Sequence, residues 1–458
     1  MKNLAIPLCL GLLALPITVR AQDQPQDAPP APQSVDDKIQ ELDQKIRVLD
    51  RKIEIDKEAA DEKAKSAGQA TAGKDGFSLR SADGNYVLRL RGYVQLDGRF
   101  WTGDEQKPQI ETFVLRRVRP IFEGTVYKIF DFRIMPDFGQ GQTVLQDAYM
   151  EARFNPAFRV RAGKFKPPVG LERLQSATDL LFVERALPTN LVPNRDLGIQ
   201  IGGDLLGGAV SYALGVFNGI PDGASADADT NNDKEAAGRL FFQPFVTGTG
   251  PLKNLGFGVS ASQGDQTGTP TSTGLAPYKT PGQVNFFTYR ADGTAAGTTV
   301  ADGTHFRLSP QGYFYSGPFG LLAEYVTSRQ DVRRDVSSAT LEHKSWQVAG
   351  SWVLSGDAAS YRGVNPKKVF DPAAHTWGAF EIAARYSELK LDDATFPTFA
   401  SITSSARSAK AWAVGLNWYL NRSLRLLFDY EDTKFEGGAA AGDREEEKIF
   451  FSRFQIAF

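Results

Sequence analysis

Regular alternation of apolar and polar side chains is the clearest feature of residues 112–165. Val118 and Phe122 share one parity, whereas Arg117 and Arg119 share the other. The same period of two returns in three further segments, which are separated by short turn-like stretches. Such alternation predicts β-strands with one apolar and one polar face.

The two faces have unusual compositions, because the apolar face is rich in Phe and the polar face is rich in Arg. A lipid-facing wall around a water-filled lumen has this arrangement, with apolar residues outside and polar residues inside. A soluble β-sandwich or propeller shows the same period, so these strands alone leave that alternative open.

The C-terminal third favours the barrel. Trp346, Trp352, Trp412 and Trp418 recur at one parity, and Asn421 and Arg422 form a tight turn between two alternating segments. Residues 218–236 and 264–304 are rich in Gly, Asp, Ala and Thr, which predicts long solvent loops at the opposite end. The chain ends on an aromatic strand whose final residue is Phe458, which resembles the closing strand of bacterial outer-membrane barrels.

Composition agrees with this interpretation. The 458 residues contain 52 Lys and Arg against 54 Asp and Glu, so no charge excess indicates nucleic acid. No apolar run of 18 residues occurs outside the N-terminus, which excludes membrane-spanning helices there. A mean hydropathy of −0.30 still permits a membrane β-barrel, because half of each strand is polar.

The N-terminal region has a different organisation. Residues 1–21 form a predicted signal peptide that contains Cys9, the only cysteine, and residues 22–34 form a predicted linker. Ile and Leu alternate at heptad spacing in residues 35–56, which predicts a short coiled coil. A solvated amphipathic helix is the alternative. Residues 57–75 are a predicted helical tail and linker, and 76–458 the barrel.

Four short runs carry a family resemblance: LRGYVQ at residues 90–95, LRRVR at 115–119, RAGKF at 161–165 and VGLE at 169–172. They are similar to runs in the phosphate-selective porin O and P family. The resemblance implies an all-β fold, a 16-stranded antiparallel transmembrane β-barrel that assembles as a homotrimer. It also implies that residues 166–196 fold inward as a constriction. In the heptads of residues 35–56, however, Ile at position a with Leu at position d favours a two-stranded coiled coil and not a trimer.

A basic path is predicted inside this barrel. Residues 113–173 contain 11 Lys or Arg against 6 Asp or Glu, and basic groups on a narrow wall concentrate anions. The resemblance carries pore roles onto Arg116, Arg117, Asp147 and Arg173. Parity turns Arg116 outward, so we expect it at a strand end or a bulge. The full predicted anion path comprises Arg116, Arg117, Arg119, Asp147, Arg161, Lys164, Lys166 and Arg173.

One region departs from the family pattern. Phosphate-selective members carry a ladder of arginines in a later inward loop, whereas residues 267–304 offer only Lys279 and Arg290. The sequence therefore predicts a passive porin for small anions, with phosphate or polyphosphate as candidate solutes. A general porin, or one for another solute such as a sugar, is the alternative.

An enzyme is disfavoured, because His305, His343 and His375 are scattered in loops or strand ends and no nucleophile motif occurs. No cofactor is predicted. The expected partners are small inorganic anions, outer-membrane lipid, two further copies of the chain, and the barrel assembly machinery through Phe458. The expected location is the bacterial outer membrane, with the coiled coil in the periplasm.

Overall fold

The computed structural model describes residues 34–73, 76–102, 109–229 and 231–458. The predicted signal peptide and residues 22–33 of the predicted linker lie outside these residues. The chain divides into two compact units, Met1–Ser66 and Ala67–Phe458.

The first unit contains one helix, α1, at Val35–Ser66. Ser34 caps its first turn, because the backbone N–H of Asp37 donates to Ser34 Oγ at 3.1 Å and Ser34 N–H donates back to the Asp37 carboxylate at 3.2 Å. The heptad side chains stay more than half exposed, for example Ile46 at 54% and Leu42 at 58%. Within the described residues, no helix is both long enough and apolar enough to span a membrane.

The second unit is a closed antiparallel β-barrel of 16 strands, in which the last strand pairs with the first. Its strands are β1 Tyr86–Trp101, β2 Thr112–Val126, β3 Phe130–Asp137, β4 Val144–Asn155, β5 Phe158–Phe165, β6 Asp196–Leu205, β7 Val210–Phe217, β8 Glu235–Phe242, β9 Asn254–Thr267, β10 Val300–Ser316, β11 Phe319–Arg334, β12 Ser337–Val353, β13 Ala379–Lys390, β14 Ala406–Tyr419, β15 Leu424–Ala439 and β16 Glu447–Ala457. The resemblance was therefore right about the strand number.

Short elements accompany the wall. The remaining strands are Gln69–Gly73, Gly76–Arg80, Tyr278–Lys279, Asn285–Phe287, Phe370–Asp371, Thr376–Trp377 and Gly442–Asp443, and the 3-10 helices are Gly139–Gly141, Leu187–Leu191, Leu206–Gly208, Pro251–Lys253 and Asp393–Thr395. Gln69–Gly73 corrects the prediction of a linker over 57–75, because this segment forms a hairpin with Gly76–Arg80, which in turn pairs with β1.

The predicted faces are confirmed. Phe130 and Phe454 point outward and remain 48% and 45% exposed, whereas Gln95 and Asp97 point inward and are fully buried. The Phe-bearing faces thus form the outside of one cylinder and do not lie between two sheets. This arrangement excludes the sandwich alternative for the described residues.

The two ends of the barrel differ in connection length. Residues 127–129, 156–157 and 317–318 make short turns at the end where the chain terminates, whereas 166–195 and 268–299 are long loops at the other end. This asymmetry was predicted. Residues 354–378 are an exception, since they form a long connection at the short-turn end.

Residues 166–195, here called the inner loop, fold into the lumen as the resemblance implied. The loop is fastened at several points of the wall by side chains that donate to its backbone carbonyls. Gln95 on β1 reaches Ala177 O at 2.9 Å, and Asn417 on β14 reaches Leu181 O at 3.0 Å. These contacts satisfy backbone groups that would otherwise be buried without partners.

Residues 268–299 correct the prediction of a solvent loop. Tyr278, Phe286 and Phe287 are at most 3% exposed and pack in one cluster with Leu187 and Leu191 of the inner loop. Burial of large aromatic side chains stabilises such a contact. The Gly- and Thr-rich composition of the segment gave no sign of it.

Candidate functional site: the basic cavity of the lumen

A cavity of about 740 Å³ lies between the inner loop and the wall formed by β1 to β5. Among the described residues that line it, ten are Lys or Arg and four are Asp or Glu. The cations are Arg116, Arg117, Arg119, Arg133, Arg161, Lys166, Arg173, Arg185, Arg195 and Lys279, and the carboxylates are Asp137, Asp147, Glu184 and Asp222. The cavity is therefore strongly basic, although the whole chain is nearly neutral.

The structure brings together most of the predicted anion path. Seven of the eight predicted residues line this cavity, and Lys164 is not among the lining residues that the structure describes. The Lys164 ammonium pairs with Asp227 in the loop over residues 218–234. The role of each residue in anion passage stays a prediction.

Arg116 occupies a β-bulge, which confirms the expectation from parity. In the β1–β2 register Gln95 is opposite Arg117 and Leu96 is opposite Leu115, so Arg116 has no partner residue in the ladder. The bulge frees its side chain to reach Glu184, with Nε and Oε1 2.5 Å apart. Two adjacent arginines thus line the cavity, since Arg117 points inward by parity.

The arginines of the wall are paired with carboxylates. Arg119 Nε lies 2.7 Å from Asp137 Oδ2, and Arg161 Nη2 lies 2.7 Å from Glu151 Oε2. The Arg161 guanidinium also covers the Tyr149 ring at 4.4 Å. These pairs hold the guanidinium groups in place and reduce their excess charge.

Three cations of the inner loop have a different environment. Lys166 Nζ donates to Gln175 O at 2.9 Å, Arg185 Nη2 donates to the same carbonyl at 2.8 Å, and Arg173 donates to Thr189 O. Within the described residues, none of the three has a carboxylate within 4.0 Å. Their positive charge is therefore available to attract an anionic solute in the lumen.

The pKa of Lys166 reflects this crowding of positive charge. Removal from bulk water lowers the pKa of its ammonium well below the usual range, and the charges of Arg185 and Arg195 lower it further. An anion that enters the cavity favours the protonated form. Protonation of Lys166 and occupancy by an anion are thus linked.

Sequence reasoning missed several lining residues. Arg133 shares the inward parity of its strand, so parity alone would have found it. Arg185 and Arg195 lie in the inner loop and Lys279 lies in a two-residue strand, and none of these segments has a periodicity that indicates side-chain direction. Arg195 Nε lies 2.8 Å from Asp147 Oδ1, so the predicted lumen carboxylate is shared between the loop and the wall.

The prediction that His305 and His343 lie in loops or at strand ends is wrong, because His305 lies within β10 and His343 within β12. His305 Nε2 lies 3.2 Å from Asp222, and His343 Nε2 lies 2.8 Å from the hydroxyl of Tyr289. Both are nearly fully buried and fasten loops to the wall. In the part of the chain that the structure describes, no cluster of three His, Cys, Asp or Glu side chains is arranged to hold a metal.

Comparison with known proteins agrees with this geometry. The sequence model of the family described as "Phosphate-selective porin O and P" matches residues 88–458. Porin O of Pseudomonas aeruginosa is 23% identical over 411 residues, which cover 84% of this chain and 91% of that protein.

Solved structures resemble the fold. The outer membrane channel DcaP of Acinetobacter baumannii has a TM-score of 0.53 at 12% identity and covers 85% of this chain and 100% of its own. The trimer form of OmpT of Vibrio cholerae has a TM-score of 0.50 at 11% identity and covers 81% of this chain and 99% of its own.

Proposed function

This chain belongs to the phosphate-selective porin O and P family of outer-membrane porins, and from that premise we propose that it conducts small anions by passive diffusion. The observation that carries the proposal is the excess of cations in the cavity, ten Lys or Arg against four carboxylates among the described lining residues. Guanidinium groups suit oxyanions, because each one donates paired hydrogen bonds and stays charged.

The arrangement of charges supports conduction as well as attraction. The wall arginines are paired with carboxylates, whereas Lys166, Arg173 and Arg185 donate to backbone carbonyls. An anion therefore meets one strongly basic zone next to wall groups whose charge is partly offset by carboxylates. Transport requires such an intermediate affinity, since a solute that binds too tightly blocks the channel.

Reversal potentials in planar bilayers test the proposal. The folded protein is expected to give an anion-selective reversal potential in asymmetric KCl. Lys166→Gln and Arg173→Gln should both reduce this preference, whereas Lys253→Gln, which alters an exposed lysine at the short-turn end, should not. A cation-selective reversal potential of the unaltered protein would contradict the proposal and would indicate a porin with another solute preference.

The expected size of the effect follows from Coulomb's law. A cation about 4 Å from an anion contributes about 1 kcal/mol in water and about 4 kcal/mol at an effective dielectric constant of about 20. The lumen lies between these limits. Loss of either charge should therefore weaken block of the chloride current by phosphate at least about fivefold, since about 1.4 kcal/mol corresponds to a factor of ten.

We propose anion preference without strict selection of phosphate. Of the two cations in residues 267–304, only Lys279 lines the cavity among the described residues. The Arg290 guanidinium instead donates to Pro397 O at 3.1 Å. Phosphate and sulfate are expected to block the chloride current at similar concentrations. Block by phosphate at a concentration a hundredfold lower would contradict this proposal.

We further propose a homotrimer in the outer membrane, with α1 as a coiled coil on the periplasmic side after removal of residues 1–21. Exposed apolar heptad positions on α1 support the coil, because a second helix buries such positions in a coiled coil. Phe458 closes the barrel, where its backbone N–H and C=O pair with Gly92 at 3.0 Å. This strand is our proposed contact for the barrel assembly machinery.

A further inference from the structure

One outward-facing lysine lies on each of five consecutive strands, β12 to β16, near the long-loop end of the barrel. This lysine row consists of Lys344, Lys390, Lys410, Lys434 and Lys448. The outward direction follows from parity, since exposed apolar residues share the face of each lysine and buried residues occupy the other face. The row lies outside the lumen and takes no part in the basic cavity.

The lysine row borders an aromatic band. On each strand the nearest aromatic residue of the same face is two or four positions away, toward the short-turn end; these residues are Trp346, Tyr386, Trp412, Tyr430 and Phe450. Two pairs of these rings contact each other, with centroids 5.3 Å apart for Trp346 and Tyr386 and 5.7 Å apart for Trp412 and Tyr430. Aromatic girdles mark the boundary between acyl chains and headgroups in such barrels. The lysines therefore lie at headgroup level.

The spacing of the row brings like charges together. Lys344 is directly opposite Lys390, and Lys410 is directly opposite Lys434. Like charges in directly opposed positions destabilise a sheet. A ligand with several negative charges would relieve this repulsion.

Neighbouring carboxylates compensate the row only in part. Four of the five lysines have a carboxylate within 4.0 Å: Glu342 lies 2.8 Å from Lys344, Glu388 lies 3.8 Å from Lys410, and Glu446 lies 2.9 Å from Lys434 and 3.1 Å from Lys448. Exposed pairs of this kind contribute little stability and yield to competing ligands. Lys390 has no carboxylate within 4.0 Å in the part of the chain that the structure describes.

We propose that the lysine row binds the phosphate-bearing headgroups of glycolipids in the outer leaflet. Basic side chains at the membrane surface attract anionic headgroups, and long lysine side chains reach the polar layer while their stems cover apolar surface. The proposal rests on the outer-membrane location and on the long loops facing the cell exterior, as in other barrels of this kind, and is independent of which solute the pore selects.

The height of the lysine row along the barrel favours a lipid headgroup over a free anion as its ligand. A lipid with its acyl chains against the aromatic band presents its phosphates at the height of the lysines. The wall at the corresponding end of β1 and β2 carries Phe100 and Phe113 instead, and the latter is 71% exposed. The basic surface thus does not extend to β1 and β2, whereas a lipid headgroup at β12 to β16 finds several cations together.

Titration of the folded full-length protein in detergent micelles with diphosphorylated lipid A tests the proposal. Binding is followed by tryptophan emission, to which Trp346 and Trp412 beside the row contribute. The triple variant Lys344→Gln, Lys390→Gln and Lys434→Gln should bind at least tenfold more weakly. The matched triple variant Lys253→Gln, Lys367→Gln and Lys368→Gln removes the same charge from exposed lysines and should bind as the unaltered protein does.

Several results would overturn the proposal. These are equal affinity of the row variant and the unaltered protein, equal affinity for dephosphorylated lipid A, and displacement by inorganic phosphate at the same phosphate concentration. Channel conductance of the row variant should stay unchanged, because the row lies outside the lumen, and this confirms its fold. Lys390→Gln alone disturbs no ion pair with a described carboxylate and should weaken binding about threefold, which keeps the test decisive if the triple variant fails to fold.

Discussion

Arg453 joins the last barrel strand to the first strand and to the inner loop, so its replacement tests how the constriction is held. Its Nε and Nη2 donate to the two carboxylate oxygens of Asp97 at 2.6 and 2.7 Å, and its Nη1 donates to Val183 O at 2.6 Å. The side chains of Arg453 and Asp97 are both fully buried. The variant to make is Arg453→Met, which keeps much of the volume and removes the charge.

The cost of this change follows from the buried carboxylate that remains. Removal of one partner from a buried ion pair costs about 3–5 kcal/mol, because the other charge is left without compensation. Val183 O also loses its donor, at about 1 kcal/mol more. The double variant Arg453→Met with Asp97→Leu removes both charges, and its cost should be smaller than the sum of the single changes by about 3 kcal/mol.

Urea unfolding in detergent micelles, followed by tryptophan fluorescence, measures these differences. Arg91→Met is the matched control, since Arg91 is 47% exposed and its pair with Glu123 spans 3.3 Å; it should cost less than about 1 kcal/mol. Single-channel recordings of Arg453→Met should show additional current noise from the loosened inner loop. An unfolding midpoint equal to that of the control, or strict additivity in the double variant, would refute the reasoning.

Three further predictions concern other parts of the chain. Gly163 has φ of +130°, and an added Cβ would lie 2.3 Å from Ala148 O. Gly163→Val should therefore prevent folding and abolish the heat-modifiable folded band on gels. Gly250→Ala is the control, because the space around Gly250 is open, and it should keep this band. Because burial and Arg185 lower the pKa of Lys166, the preference for chloride over potassium should fall as pH rises at values below about 10.4, the ordinary lysine pKa. In bilayer measurements Lys166→Gln should lack this step. Leu42→Asp in α1 should lower the temperature at which trimers dissociate on gels without altering single-channel conductance, and unchanged dissociation would count against the coiled coil.

The sign of the pH effect follows from the direction of the shift. The folded pKa of Lys166 is depressed, so the folded protein loses this proton at a lower pH than the unfolded chain does. Charge in the cavity therefore falls first, while an ordinary lysine is still protonated. In the same window the unfolded chain binds more protons, so this group makes the free energy of unfolding rise with pH.

The alternation in the sequence was enough to predict the strands of residues 112–165 and of the C-terminal third, with their inward and outward faces. Side-chain direction in an extended backbone depends only on parity, which is a local property. Parity turned Arg116 outward, so the pore role implied by the resemblance required a strand end or a bulge there, and the structure has the bulge. The strand number came from the family resemblance, because alternation alone does not count strands in a closed sheet.

The tertiary structure decided where the loops lie and which charges remain available. Asp97 and Arg453 are separated by 356 positions in the chain, and their pairing exists only because the barrel closes. The direction of the Arg185 side chain and the burial of Phe287 likewise depend on how two aperiodic segments, residues 166–195 and 268–299, pack inside the lumen. Local periodicity does not predict such contacts, because they arise from pairing and packing between segments that are far apart in the chain.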